Sequence, residues 1–296
     1  MMEKYWFFVA LVCSLLNGVF IYTNQIFKLA GPLFMVFRGI GQFLALLPFV
    51  IFFSPIENVT FYLLCLAQGC LIAFNDYRLF RSSKAFGAEV TSSLQPLSIG
   101  LIFMLWLTVH PADLREMLQQ PFHFALVILC LSGITFSILK MKKAKSSARA
   151  MQYLLPCLCL MSINDVINKE AMMHGAEHLV SAIYFYCLIT AFVSGSTNLV
   201  LYLRKHNFNE LKAPQYKFRA PVIVLLGTLC MISKNYAMFL APNPAYVSAI
   251  IFLYPLWIVL GNMLYRHLGG KISCASVRLS TVSVLLTSVI GLILLR

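Results

Sequence analysis

Charged side chains are scarce in this sequence. Asp, Glu, Lys and Arg make up only 11% of 296 residues, and 10 of them are acidic. A soluble domain carries about 25%, so an ordinary water-facing surface is excluded. A P-loop, a G-x-S-x-G elbow and a dinucleotide fingerprint are also missing. Their absence argues against an ATP-driven pump within this chain. The nine cysteines form no C-x-x-C pair and do not cluster in loops. They read as buried thiols acting as small hydrophobes rather than as disulfides or a metal site. No soluble basic domain exists to carry the net charge of +13. Loops facing an anionic lipid leaflet account for it more cheaply than nucleic-acid binding does.

What the chain has instead is hydrocarbon. Sixty per cent of its residues are hydrophobic, gathered into long runs. A spanning helix needs roughly 20 such residues, so at about 28 residues per helix and loop the length allows roughly ten spans. The runs are placed at 5–27, 32–53, 59–80, 85–108, 121–140, 151–172, 178–203, 220–240, 244–265 and 275–295. Gly31-Pro32, Ser54-Pro55, His110-Pro111, Gly175, Pro214 and Pro221, Pro242-Asn243-Pro244 and Gly269-Gly270 punctuate them. The first run continues through Asn17, Tyr22 and Asn24 without a small-residue cleavage pattern and is read as an uncleaved helix. The one strongly biased linker, Lys140 to Arg149, leaves five runs on either side.

Loops after odd-numbered runs hold 17 lysines and arginines, whereas the termini and the remaining loops hold four. The positive-inside rule therefore puts the basic side in the cytoplasm and both termini outside. The sequon Asn58-Val-Thr60 falls in an outside loop, in keeping with that orientation.

The two halves are weakly self-similar. At an offset of 159, Tyr77, Phe80, Pro96 and Leu97 meet Tyr236, Phe239, Pro255 and Leu256; at 144, Cys13, Asn24 and Gly31 meet Cys157, Asn168 and Gly175. Five helices per half is an odd number, so the copies must be inverted relative to each other. Inverted repeats of this kind build secondary transporters, with the substrate site between the halves near the midplane. The expected architecture is thus an all-α integral membrane protein of ten transmembrane helices. Residues 1–140 form the first five-helix repeat, 141–150 a basic linker and 151–296 the second repeat.

The chain resembles the drug/metabolite transporter superfamily in its ten-helix EamA-type branch. The resemblance covers essentially the whole sequence. It rests on the five-plus-five layout, Asn17-Gly18 in the first helix, Phe37-Arg38-Gly39 in the second, and the paired steps Leu94-Gln-Pro-Leu97 and Leu253-Tyr-Pro-Leu256. Family members often carry a Gly-Glu step after the ninth helix, where this chain reads Leu268-Gly-Gly-Lys271. The resemblance implies carriage of small metabolites by alternating access, without ATP hydrolysis, enzyme activity, cofactor or metal, in a plasma or bacterial inner membrane.

Charges inside the membrane cost about 2.5–3.5 kcal/mol each on insertion scales, so each needs a reason. At 1.5 Å per residue, Arg38 and Asp76 lie about 9 and 6 Å from the cytoplasmic ends of their helices, and Asp165 and Lys234 share a depth of about 21 Å. Two ion pairs are expected, one toward each mouth of a central cavity, acting as gates or proton-sensitive latches. The plainer alternative for Arg38 and Asp76 is snorkelling at helix ends. Asp165 and Lys169 are also spaced i, i+4, as simple helix support would be.

Asn17, Asn24, Gln42, Gln68, Asn75, Gln95, Asn164, Asn168, Asn235 and Asn262 form a neutral polar set. As a group they suggest a polar cavity; singly, each serves equally as glue between helices. Tyr22, Tyr77, Tyr236, Tyr246 and Tyr254 are candidates to line it or to pack. The substrate-binding or gating set is taken as Asn17, Asn24, Arg38, Asp76, Gln95, Asp165, Asn168, Lys234 and Asn235. The expected partners are a small organic solute (amino-acid-like, nucleoside-like or an amphipathic cation), protons as a coupling ion, and the lipid bilayer, with the chain a monomer or homodimer. The rival reading is a non-transporting membrane scaffold or receptor, with its charges tightly paired and no cavity between the halves. His174-Gly-Ala-Glu-His178 matches a zinc-protease pattern, but Gly175 interrupts the helical turn that such ligands need. His110-Pro-Ala-Asp113 reads as a loop turn.

Overall fold

The computed structural model describes residues 5–27, 29–86, 91, 94–141, 148–204, 206, 208–211, 213–267 and 279–295. Most of the basic linker and the Leu268 to Lys271 segment lie outside the described residues, as do Lys28, Cys274 and Arg278. The described chain is helical throughout, with no strand among the described residues. We label the helices α1 (Trp6–Phe27), α2 (Gly31–Leu46), α3 (Val59–Phe86), α4 (Ser98–Val109), α5 (Pro111–Gln119), α6 (Pro121–Met141), α7 (Ala148–His174), α8 (Leu179–Leu203), α9 (Tyr216–Leu240), α10 (Pro244–Ile251), α11 (Tyr254–His267) and α12 (Leu279–Leu294).

Among the described residues eight helical segments are long and apolar enough to cross a membrane. A ninth arises if the bent pair formed by Gln95–Val109 and Pro111–Gln119 is one span. This is a multi-pass membrane protein. Lipid offers the backbone no hydrogen bonds, so each spanning segment closes its own as a helix.

The helix boundaries depart from the expected ones in three places. α3 runs on to Phe86, past its expected end at residue 80, and Gln95–Leu97 make a 3₁₀ turn inside the expected fourth run, with Pro96 early in it. The His110-Pro-Ala-Asp113 step is not a loop turn. Pro111 opens α5, which bends away from α4 by 103°. Proline suits that position, where its missing N–H costs nothing. Pro221 is not a break: α9 opens at Tyr216 and carries that proline inside it, while α12 is described over the 16 residues Leu279–Leu294.

The helix ends carry local reasons. Asn243, between two prolines, accepts a hydrogen bond at its Oδ1 from Ala245 N at 2.8 Å and so caps α10. Lys169 donates to the carbonyls of Phe239 and Ala241 at 2.9 and 2.7 Å, at the C-terminus of α9. A cation there meets the negative end of the helix dipole. The second half of the i, i+4 spacing is thus engaged with a neighbouring helix end.

In packing, α1 lies along α9 and α3 along α7; α2 crosses α8; α4 rests on α7, while α10 and α11 rest on α1; α6 pairs with α12. The α2–α8 crossing is the tightest. A Cβ on Gly195 would stand 2.5 Å from the backbone nitrogen of Ile40, and one on Gly39 only 2.3 Å from the Cα of Gly195. Only paired glycines allow the two backbones to approach so closely.

Candidate functional site

Between the helices lies a cavity of about 370 Å³. Its walls come from α1, α2, α3, α7, α8, α9 and α10, and from the two places where a helix breaks before a proline. Gln95 lies at the first break and Tyr254 at the second. Of the nine residues expected at the site, eight line this cavity: Asn17, Arg38, Asp76, Gln95, Asp165, Asn168, Lys234 and Asn235. Asn24 does not. It shares a helical face with Asn17, but the α1 lining ends at Ile21, and the Asn24 Oδ1 is enclosed by protein without a hydrogen-bond partner.

Both expected ion pairs form. Arg38 Nη2 stands 3.1 Å from Asp76 Oδ2, joining α2 to α3. Lys234 Nζ stands 2.6 Å from Asp165 Oδ1, joining α9 to α7. Both aspartates are buried, and a buried carboxylate is tolerable only when paired and hydrogen-bonded. Asp165 gains a second donor in the Ser248 hydroxyl of α10, which donates to Oδ2. One turn along α7, Asn168 Nδ2 donates to Asn235 Oδ1 at 3.0 Å, and Asn235 Nδ2 donates to Cys187 Sγ at 3.3 Å. Asp165 with Asn168 on α7, and Lys234 with Asn235 on α9, therefore make one polar seam.

The rest of the neutral polar set divides. Gln42, Gln68, Asn75 and Asn164 line the cavity and are themselves buried. Each has one buried amide atom without a hydrogen-bond partner. Such atoms are costly when shut away from water, so these side chains are poised to turn toward a polar occupant. The side chain of Asn262 lies outside the described residues. Of the tyrosines, Tyr254 lines the cavity, Tyr246 packs between Trp6 and Phe103, Tyr236 lines a separate apolar groove and Tyr77 is exposed.

Ser248, Tyr186, Met161 and Cys230 also belong to the wall and were not foreseen. A serine, a tyrosine or a thiol inside an apolar run is common, and none of them announces which way it faces. Gly227 shapes the wall too: a Cβ there would meet Gln42 Nε2 at 2.6 Å. Gly18, from the Asn17-Gly18 step, lets α1 lie against α11, since a Cβ would reach Trp257 Cβ at 3.1 Å.

The discounted motifs have other places. His174 ends α7 and accepts from Asn58 Nδ2 at 3.2 Å, while Asn58 Oδ1 accepts from Thr60 N at the start of α3. His110 pairs with Glu170 and stacks on Trp106, and the indole N–H of Trp106 donates to Asp113 at 2.9 Å. Among the described residues no three His, Cys, Asp or Glu side chains converge to hold a metal ion.

No protein-family model matches this chain, and no curated protein does.

What the site can do follows from its charge and its seams. Two cations and two carboxylates leave it formally neutral, and amides surround them. Each pair bridges separate helices, so breaking either one releases helices from each other while leaving ionised groups to be satisfied by water or a solute.

Proposed function

We propose that this protein is a secondary transporter of small organic metabolites, working by alternating access. The observation that carries the reading is the polar cavity, enclosed by spanning helices and holding both intramembrane ion pairs. Ionisable groups at membrane depth are costly and mark solute or ion pathways. A scaffold would also keep its charges paired, but it has no use for a cavity between them.

An inverted five-plus-five repeat is part of the proposal, with the bent α4–α5 pair and the short α12 completing ten spans. Matching α1, α2, α3, α4 and α6 to α7, α8, α9, α10–α11 and α12 makes the packing nearly self-consistent. The α1–α9 contact becomes α7–α3, α4 on α7 becomes α10 and α11 on α1, and α2–α8 and α6–α12 map onto themselves. The cavity wall supports the same correspondence. Positions 159 apart line it together, as with Ile72 and Met231, Asn75 and Lys234, Asp76 and Asn235, and Gln95 and Tyr254. Positions 144 apart do so as well, as with Asn17 and Met161, and Ile21 and Asp165. The positions are two-fold but the chemistry is not: Lys234 is the counterpart of Asn75, and Asp165 that of Ile21. Broken helices beside such a cavity are a recurrent device of transporters built on inverted repeats.

In this reading the chain is a ten-helix carrier of the drug/metabolite transporter type, with its basic loops in the cytoplasm and both termini outside. The Asp165–Lys234–Ser248 cluster and the Arg38–Asp76 pair are its gates, and protons are the coupling ion to test first. The solute is amino-acid-like, nucleoside-like or an amphipathic cation, and one chain holds the whole cavity. The test is uptake and efflux in proteoliposomes with a mixed metabolite panel and an imposed pH gradient, for wild type and Asp165→Asn. Saturable flux by the wild type that the variant loses is expected. Flux indifferent to the substitution removes Asp165 from the mechanism. No flux from a folded preparation across a broad panel overturns the transporter reading.

A further inference from the structure

A second concavity of about 540 Å³ lies on the other side of the α9 wall. It falls between α1, the 3₁₀ turn that ends α2, the first half of α8, and α9. Val12, Phe49, Tyr184, Leu229 and Ile232 are among its lining residues. Its size is that of a ligand pocket, roughly 300–1,000 Å³.

Three features identify what fills it. The first is where it opens. Val12 is 53% exposed and Ile232 40%, on helices long and apolar enough to span a membrane, so the mouth of the groove faces hydrocarbon and not water. The second is chemical. The lining is almost wholly apolar, and three of its few polar groups already have partners: Tyr184 Oη donates to Leu46 O at 2.9 Å, Ser233 Oγ donates to Leu229 O at 2.8 Å, and Cys187 Sγ accepts from Asn235. Little beyond the Tyr236 hydroxyl is left to fix a headgroup or any other polar ligand. The third is length. The lining runs from Val9 to Leu16 on α1 and from Leu229 to Tyr236 on α9. At 1.5 Å per residue each stretch is about 10 Å long, which fits within one leaflet of a hydrocarbon core about 30 Å thick.

We propose that this groove is a binding site for one acyl chain of a membrane lipid. The chain enters from the leaflet on the side of the α2–α3 connection and lies along α1 and α9. It rests against the outer face of the Cys187–Asn235 contact, whose inner face is the wall of the polar cavity. A bound chain therefore backs the partition between that cavity and the bilayer at this contact. The inference needs only the membrane-spanning architecture and stands apart from transport.

The test is native mass spectrometry of the full chain, purified in mild detergent, delipidated and then incubated with dioleoylphosphatidylcholine or dioleoylphosphatidylglycerol. Ile232→Trp fills the groove; Leu63→Trp, on the exposed face of α3, is the control. Wild type and Leu63→Trp should each hold one lipid tightly, and Ile232→Trp should lose occupancy by about tenfold, the change that 1.4 kcal/mol produces. Both headgroups should bind alike. If Ile232→Trp shows no cooperative melt, Val12→Phe gives the same readout from the opposite wall. Equal occupancy in all folded variants, no retained lipid in the wild type, or a strong headgroup preference would overturn the site.

Discussion

Replacing Lys234 by methionine tests how far the polar seam depends on its charges. The substitution keeps a long side chain on α9 and removes the ammonium 2.6 Å from Asp165. Asp165 stays 8% exposed with Ser248 as its remaining donor. Stripping one partner from a buried pair costs about 3–5 kcal/mol, because the surviving charge is left uncompensated. The Lys234 side chain is 32% exposed to the cavity, which places the loss near the low end. Asp165→Asn should cost less, about 1–2 kcal/mol, since the amide still accepts from Ser248 and the stranded lysine reaches the cavity. With both substitutions no unpaired charge remains. The double variant should thus be more stable than the sum of the single losses by at least about 1.5 kcal/mol. Equilibrium unfolding in mixed detergent–dodecyl sulfate micelles gives all four corners of this cycle. Losses that add to within about 0.5 kcal/mol would refute the reasoning, because the two charges would then be energetically independent.

Gly195→Ala should destabilise the protein by about 1–3 kcal/mol by overpacking, since its methyl group meets the α2 backbone at 2.5 Å. Gly100→Ala, with nothing within 4 Å, should change stability by no more than about 1 kcal/mol; the same unfolding assay checks both. Lys169→Met leaves the carbonyls of Phe239 and Ala241 without that donor and should cost about 1–3 kcal/mol, with faster hydrogen exchange at the end of α9. In a cysteine-free background, Arg204→Cys should react with a membrane-impermeant maleimide only from the cytoplasmic side and Pro55→Cys only from outside; the reverse pattern would invert the orientation.

The site was partly legible because hydrocarbon makes charge rare. With so few ionisable groups inside the runs, matching Arg38 to Asp76 and Lys234 to Asp165 by depth needed only helix rise, and both pairs form. Neutral groups obey no such constraint. Asn17 and Asn24 share one face of α1, yet only Asn17 reaches the cavity, because its extent is decided by the packing of other helices. Ser248 escaped notice for a related reason: a serine in an apolar run most often bonds its own helix, as Ser194 and Thr190 do in α8. The third run was expected to end at residue 80, but residues 81–86 continue α3 in the absence of a proline or glycine to stop it, and the expected fourth run, 85–108, is interrupted by the 3₁₀ turn that holds Pro96.

The local and one-dimensional properties of this protein follow from its sequence alone: that it crosses a membrane, that it does so as helices, and which few charges must find partners. These depend on solvation cost and backbone geometry, which act residue by residue. Only the tertiary structure decided that α7 and α9 share a polar seam, that Gly39 and Gly195 let two backbones touch, and that α9 separates a polar cavity from an apolar groove. Those outcomes depend on which helix faces meet, and in lipid the hydrophobic effect does not choose among apolar faces. Close packing and the few available hydrogen bonds choose instead.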